Sequence, residues 1–116
     1  MSNTLQFEIS RKKCFERHLK KLYQEILDDN LFELKDELAR MAYYGHRQGQ
    51  FFRLFREYQK ISPENLSQKI GLSVLKIREI ENGDFVPGVN LTALYADSIG
   101  ATQELNYFLN FFDELL

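Results

Sequence analysis

The residues with the clearest chemical capacity are the basic side chains between positions 47 and 78. This segment holds seven Lys and Arg against two Glu, a local net charge of +5, although the whole chain carries −2. The basic residues are Arg47, Arg53, Arg56, Lys60, Lys69, Lys76 and Arg78. Affinity for phosphate depends on such a local concentration of charge rather than on the sum over the chain. The segment is therefore a candidate surface for nucleic acid.

No pattern typical of catalysis or metal binding accompanies this charge. His18 and His46 lie far apart in the sequence. There is no glycine-rich phosphate loop, no paired-histidine motif and no nucleophile with an obvious base. The one cysteine, Cys14, can form neither an intramolecular disulfide nor a cysteine-rich zinc site, and we expect it to pack as a small apolar side chain. We therefore expect no enzyme, no cofactor and no bound metal.

The composition is that of a globular protein. The 116 residues are 44% hydrophobic and 28% charged, which excludes the low-hydrophobicity signature of disorder. A single cysteine fits the reducing cytoplasm. No secretory signal is expected, and no apolar run approaches the roughly 20 residues of a membrane span. We predict a cytoplasmic protein without a membrane segment.

The N-terminal part is predicted to contain two helices. Residues 5–9 alternate apolar and polar, which is the pattern of a short strand, although an N-terminal arm fits equally well. Ser10 is a suitable N-cap for an amphipathic helix of about 18 residues. A second helix at roughly 31–44 would have Leu31, Leu34, Leu38, Met41 and Ala42 on its apolar side. The polar segment GHRQGQ at 45–50 is typical of a linker, so we divide the chain into a helical extension, 1–49, and a second domain, 50–116.

Five short helices are predicted in the second domain, which makes the whole chain all-α apart from the possible strand. We place them near 51–60, 63–70, 73–82, 88–99 and 102–115. Ser62 is an N-cap before Pro63, whose missing N–H costs nothing in a first helical turn. Gly71 permits a tight turn, and Ser73 caps the next helix. The apolar contacts that a helix-turn-helix needs at its steep crossing are supplied by Leu66, Ile70, Leu72, Ile77 and Ile80.

An ordered set of residues between 54 and 105 carries the strongest functional signal. Its members are Arg56, Leu66, Gly71, Ser73, Ile77, the run Ile80–Gly83, Pro87, Leu91, Leu94, Ala96, Ile99 and Gly100. This set resembles the phage-repressor/Cro-type (XRE) helix-turn-helix family of transcription regulators. The resemblance implies a recognition helix at about 73–81 and an ion pair between Arg56 and Glu81 that would tie the first helix of the domain to it. It also implies DNA contacts from Ser62, Ser73, Val74, Leu75, Lys76, Arg78, Glu79 and Asn82. Lys76 and Arg78 are the strongest candidates, because Arg or Lys to guanine is the commonest specific base contact.

Four positions depart from the family pattern. Pro63 stands where the family often has a glutamine that reaches the DNA backbone, and Asp84 stands where Lys or Arg is common. Val74 and Leu75 replace polar side chains and could contact either thymine methyl groups or a protein. The sequence thus leaves two functions, a DNA-binding transcription regulator and a protein-interaction module of the same fold. An antitoxin lies between them, with residues 1–49 on a protein partner and the rest on DNA.

Two further surfaces are candidates for binding a partner. The last predicted helix has a wide apolar stripe formed by Leu105, Phe108, Leu109, Phe112 and Leu116, flanked by Tyr107, Phe111 and Leu115. Because repressors of this family bind paired half-sites as dimers, the stripe predicts a homodimer. Alternatively, it packs only against the N-terminal helices. The six Lys and Arg of residues 11–21 form either an additional phosphate-binding face or a solvated helix surface.

Overall fold

The computed structural model describes residues 2–115, which fold into six α-helices and one short 3-10 helix. The α-helices are α1 (Ser2–Asp28), α2 (Glu37–Tyr58), α3 (Pro63–Ile70), α4 (Val74–Asn82), α5 (Val89–Ser98) and α6 (Thr102–Leu115), and the 3-10 helix covers Leu31–Glu33. None of the described residues belongs to a strand. The all-α fold class predicted from the sequence is confirmed.

The first helix is longer than the sequence indicates. α1 begins at Ser2, so the strand suggested for residues 5–9 is wrong, and Ser10 lies inside the helix instead of capping it. The described part of the chain offers no second strand for pairing. Continuation of the helix satisfies the backbone N–H and C=O groups that an isolated strand would leave open. The three apolar side chains of this segment consequently lie exposed on a helix surface.

The segment predicted as a linker, residues 45–50, lies in the middle of α2. This helix begins after Asp36, whose carboxylate accepts a hydrogen bond from the backbone N–H of Leu38 (3.0 Å), and continues without a break to Tyr58. The linker prediction is therefore wrong. The predicted second and third helices are one helix, and the boundary drawn between residues 49 and 50 falls inside it.

The two glycines of the segment allow α2 to pack closely against its neighbours. Gly45 and Gly49 are four residues apart on α2, where the end of α4 and the following loop approach it. A Cβ on Gly49 would lie 2.5 Å from the carbonyl oxygen of Ile80 and 2.6 Å from that of Glu81. A Cβ on Gly45 would lie 2.5 Å from a methyl group of Val86. The glycines are close-contact positions between elements, and packing offsets their cost of about 1 kcal/mol each to the helix.

The apolar side predicted for the second helix is only partly buried. Leu31 is buried in the 3-10 helix, whereas Leu38 and Met41 are 72% and 50% exposed. These two side chains lie on the same face of α2 as Gly45, in the turns that precede it. The loop after α4 lies against α2 at Gly45, whereas most residues of the first turns of α2 are exposed.

α1 and α2 pack as an antiparallel pair. At one end the Phe15 ring stacks on Tyr58, with ring centroids 4.1 Å apart. At the other end the Arg47 guanidinium donates hydrogen bonds to Glu25 (3.1 Å) and Asp29 (2.7 Å). Leu22 and Ile26 of α1 lie in the same core cluster as Phe51, so residues 1–49 and 50–116 share one interior rather than forming separate units.

The apolar stripe of α6 is covered within the chain. Its fully buried members are Leu105, Phe108 and Phe112. The Phe108 ring lies 4.8 Å from that of Phe51 on α2, and Tyr23 on α1 packs edge-on against Phe111 at 4.9 Å. Leu116, which the sequence assigns to the same stripe, lies outside the described residues. The stripe therefore packs on the N-terminal helices and no longer supports a homodimer.

Candidate nucleic-acid interface

α3 and α4 are short helices joined by a three-residue turn. Ser62 accepts a hydrogen bond from the backbone N–H of Asn65 (3.0 Å), and Ser73 accepts one from that of Lys76 (3.1 Å). Both candidate serines therefore act as N-caps. Gly71 has φ +74°, the left-handed conformation with which a helix commonly ends in a tight turn. The observed bounds agree with the predicted helices at 63–70 and 73–82 to within one residue.

Apolar contacts hold α4 against the rest of the chain on one side. Leu66 on α3 and Ile77 and Ile80 on α4 are buried in the core, together with residues of α2 and α5. Ile70 and Leu72 pack partly buried against the same cluster. These are the contacts predicted from the sequence, and they leave the opposite side of α4 free.

A buried ion pair fixes the end of α4. Arg56 on α2 donates to both carboxylate oxygens of Glu81, from Nε (2.7 Å) and Nη2 (2.9 Å), and from Nη1 to the carbonyl of Ile61 (2.8 Å). Tyr95 on α5 donates its hydroxyl to Glu81 (2.5 Å). Burial and this hydrogen bond raise the pKa of Tyr95 far above its usual value, so the phenol stays a donor. The Arg56–Glu81 pair is the one expected from the sequence, whereas no sequence signal marks Tyr95 as its third member.

α4 presents one face to solvent along its length. Leu75, Arg78 and Asn82 are exposed at positions three and four residues apart, and half-buried Glu79 lies beside them. The side chain of Leu75 is 68% exposed. The other predicted contact residues of this helix, Val74 and Lys76, are half-buried. The structure thus places the predicted contact residues on α4 or at its N-cap, except for Ser62, which caps α3.

The two basic residues of α4 differ in their surroundings. Lys76 Nζ lies 3.0 Å from Glu79 Oε2 and 4.1 Å from the centre of the Phe85 ring. Its charge is therefore already compensated within the protein. Arg78 is exposed and forms no ion pair with another described residue. Of the two, Arg78 is the cation more available to an anionic ligand.

The local charge that the sequence suggests is largely neutralised in the fold. Five of the seven basic side chains between 47 and 78 lie in ion pairs. The pairs are Arg47 with Glu25 and Asp29, Arg53 with Glu57, Arg56 with Glu81, Lys60 with Glu8, and Lys76 with Glu79. All of these carboxylates except Glu57 lie outside residues 47–78, so a count within that segment misses them. The predicted basic surface is therefore smaller than the seven residues of segment 47–78 indicate. Besides Arg78, the described residues leave Lys69 outside an ion pair, with its Nζ 3.0 Å from the carbonyl oxygen of Ser98.

The remaining candidates for chemistry lie apart from this surface. Cys14 is exposed on α1, so the expectation that it packs as an apolar residue is wrong. Its Sγ lies 3.6 Å from Nδ1 of His18, which is itself exposed, and His46 is exposed on α2. Within residues 2–115, no three His, Cys, Asp or Glu side chains are grouped so that they could hold a metal ion.

Comparison with protein-family models, curated proteins and solved structures yields no match to the chain. No α-helix in the described part of the chain is both long enough and apolar enough to cross a membrane. A function is therefore argued from α3, α4 and the residues that position them.

Proposed function

We propose that this chain is a cytoplasmic DNA-binding transcription regulator of the phage-repressor/Cro helix-turn-helix type, with α4 as the helix that enters the major groove. The observation that carries the proposal is the solvent-facing row of Leu75, Arg78 and Asn82 along α4. Behind this row, Ile77 and Ile80 are buried in the core. The helix is thus held rigidly while its outer face is left open to a ligand.

The chemistry of the row suits base edges. The Arg78 guanidinium can donate two hydrogen bonds to a guanine, Leu75 can contact a thymine methyl group, and the Asn82 amide can both donate and accept, as adenine requires. An α-helix fits a major groove about 12 Å wide. The N-termini of α3 and α4, capped by Ser62 and Ser73, supply backbone N–H groups that favour phosphate.

The ion pairs within the fold limit the electrostatic part of the affinity. Lys69 and Arg78 are the basic residues of α3 and α4 that lie outside ion pairs among the described residues. Neutralisation of about two phosphates by each copy would give a slope of log K against log salt near −2 for each copy. A chain that presented all seven basic residues of segment 47–78 would give a slope near −6.

Fluorescence anisotropy with a random duplex, titrated with salt, measures this slope. Selection from a random DNA library then supplies a specific site for variants. Arg78→Ala should weaken binding to that site by about 5- to 150-fold, the effect of one lost base contact. Arg53→Ala is the matched control, because Arg53 is also exposed but lies on α2 in an ion pair with Glu57. Absence of duplex binding at low salt, or equal effects of the two variants, would reject the proposal.

A protein-interaction module is the second candidate, and a specific observation favours it. The basic charge near α4 is largely neutralised, and large apolar side chains are exposed there: Leu75 is 68% exposed and Val89 is 85% exposed. Phe32 and Leu38, in the part of the chain assigned to a partner in the antitoxin hypothesis, are exposed as well. This candidate predicts a folded chain that neither selects a DNA sequence nor binds random duplex, and the same assays therefore separate the two.

A further inference from the structure

α1 has apolar surface on one face at both of its ends. Towards its N-terminus, Leu5 and Ile9 are 64% and 47% exposed. Towards its C-terminus, α1 and α6 border an open groove of about 590 Å³. The groove is lined by Glu16, Leu19, Lys20, Tyr23, Leu27, Glu104, Tyr107 and Phe111. No described residue fills it.

The exposed end and the groove belong to the same side of α1. Leu5, Ile9, Glu16, Tyr23 and Leu27 follow one another at intervals of four, seven, seven and four residues. Residues at these intervals lie on one face of an α-helix. The apolar end of α1 therefore continues the wall of the groove in a straight line.

We propose that the two surfaces bind each other between two copies of this chain. The α1 helices would pack antiparallel about a two-fold axis, and the N-terminal end of each helix would lie in the α1–α6 groove of the other. In the register we propose, Leu5 lies opposite Tyr23 of the second copy, and Ile9 lies opposite Leu19. Two-fold symmetry repeats each of these contacts, as in other isologous interfaces.

Charge complementarity selects both the second copy as the occupant and this register. With Leu5 opposite Tyr23, Lys12 faces Glu16 of the second copy, and the two-fold axis repeats this pair. Moving the helices by about one turn would instead put Lys12 opposite Lys20 and Glu16 opposite its own counterpart. Like charges placed directly opposite one another oppose association. Lys12 and Glu16 are exposed, so both are available for these contacts.

The overlap between the two α1 helices covers most of the helix. It runs from residue 5 to residue 23, which is about 28 Å of helix at 1.5 Å per residue. α6 adds Tyr107 and Phe111 to each end of the contact. This interface does not depend on what α4 binds, so it can be tested in the absence of DNA.

Sedimentation equilibrium of the full chain tests the interface. The wild type should fit a dimer, twice the monomer mass of 13.8 kDa, at micromolar concentration and above. The double variant Leu5→Glu/Ile9→Glu should remain monomeric over the same range. Phe7→Glu is the matched control, because Phe7 is 75% exposed at the same end of α1 but on the opposite side. It should dimerise like the wild type, and circular dichroism verifies that all three chains keep the same helix content.

Charge reversal tests the register independently. Lys12→Glu and Glu16→Lys should each raise the dimer dissociation constant by about tenfold at low salt, and the double variant should return it to the wild-type value. The differences should shrink at high salt. A wild type that stays monomeric at the highest concentration would overturn the proposal. So would an effect of Phe7→Glu equal to that of the double glutamate variant, or a double charge variant no better than the singles.

Discussion

Replacement of Gly49 by alanine should destabilise the protein, although alanine is the better helix former. Inside a helix this substitution normally gains about 1 kcal/mol. Here the added methyl group would lie 2.5 Å from the carbonyl oxygen of Ile80 and 2.6 Å from that of Glu81. The carbonyl carbon of Glu81 would be 2.9 Å away. All three atoms are backbone atoms, so no side-chain rotation can relieve the contact.

The magnitude follows from the movement that relief requires. α2 and α4 would have to separate by roughly 0.5–1 Å, and overpacking of this kind costs about 1–3 kcal/mol. The rigid neighbours place the cost at the upper end of that range, because the shift also moves Glu81 away from Arg56. After subtraction of the helix gain, we expect a loss of about 2 kcal/mol in the free energy of unfolding. For a chain of this length the loss lowers Tm by about 8 °C.

Urea and thermal unfolding followed by circular dichroism measure this loss, and Gly45→Ala provides the control. The nearest contact at Gly45 is a methyl group of the half-buried Val86 side chain, at 2.5 Å, and the next atoms are 3.8 Å away. Since that side chain can shift, the helix gain should nearly offset the strain and leave stability within about 1 kcal/mol of the wild type. A Gly49→Ala protein as stable as the wild type would refute the close approach of α2 and α4.

Three further substitutions test the polar contacts. Glu81→Gln leaves the buried guanidinium on α2 without its countercharge and should cost about 3–5 kcal/mol in urea unfolding. Tyr95→Phe removes one hydrogen bond to that carboxylate and should cost about 1–3 kcal/mol in the same assay. Hydrogen bonds from Tyr43 and Arg47 hold the pKa of Asp29 below its usual value. The stabilisation they give is complete above the unfolded pKa of about 4 and is lost as the pH falls through the folded pKa. Asp29→Asn should therefore flatten the pH dependence of stability below about pH 4, and a profile parallel to that of the wild type would contradict this assignment.

The helices that the sequence predicts best are those whose ends are set by interactions between residues close together in the sequence. α3 and α4 each begin after a serine whose side chain accepts a backbone N–H, and α3 ends at Gly71. These caps act over three or four residues, so their types and order in the chain are sufficient to locate them. The Arg56–Glu81 pair could also be predicted, since the two side chains occur at the spacing of a known family pattern.

The errors have a common cause, which is contact between residues distant in sequence. Polar character and two glycines at 45–50 indicate a linker locally, yet Gly49 is needed because the carbonyl of Ile80 lies against it. A count of charge within 47–78 likewise omits Glu25 on α1, which pairs with Arg47. Neither contact is encoded by a pattern within one segment. The extent of the basic surface therefore could not be predicted before the packing of α1 on α2 was known.

The continuity of α2 changes what the N-terminal residues can contribute to the proposed function. One helix carries both Arg47, which binds α1, and Arg56, which fixes the end of α4. A chain beginning at residue 50 would lose Leu22 and Ile26 from the core, and it would lose Tyr23 and Tyr44, whose rings pack against Phe108. Residues 1–49 are therefore part of the support of α4 rather than a separate arm. Any partner that moves α1 acts on the same rigid body that holds the proposed recognition helix.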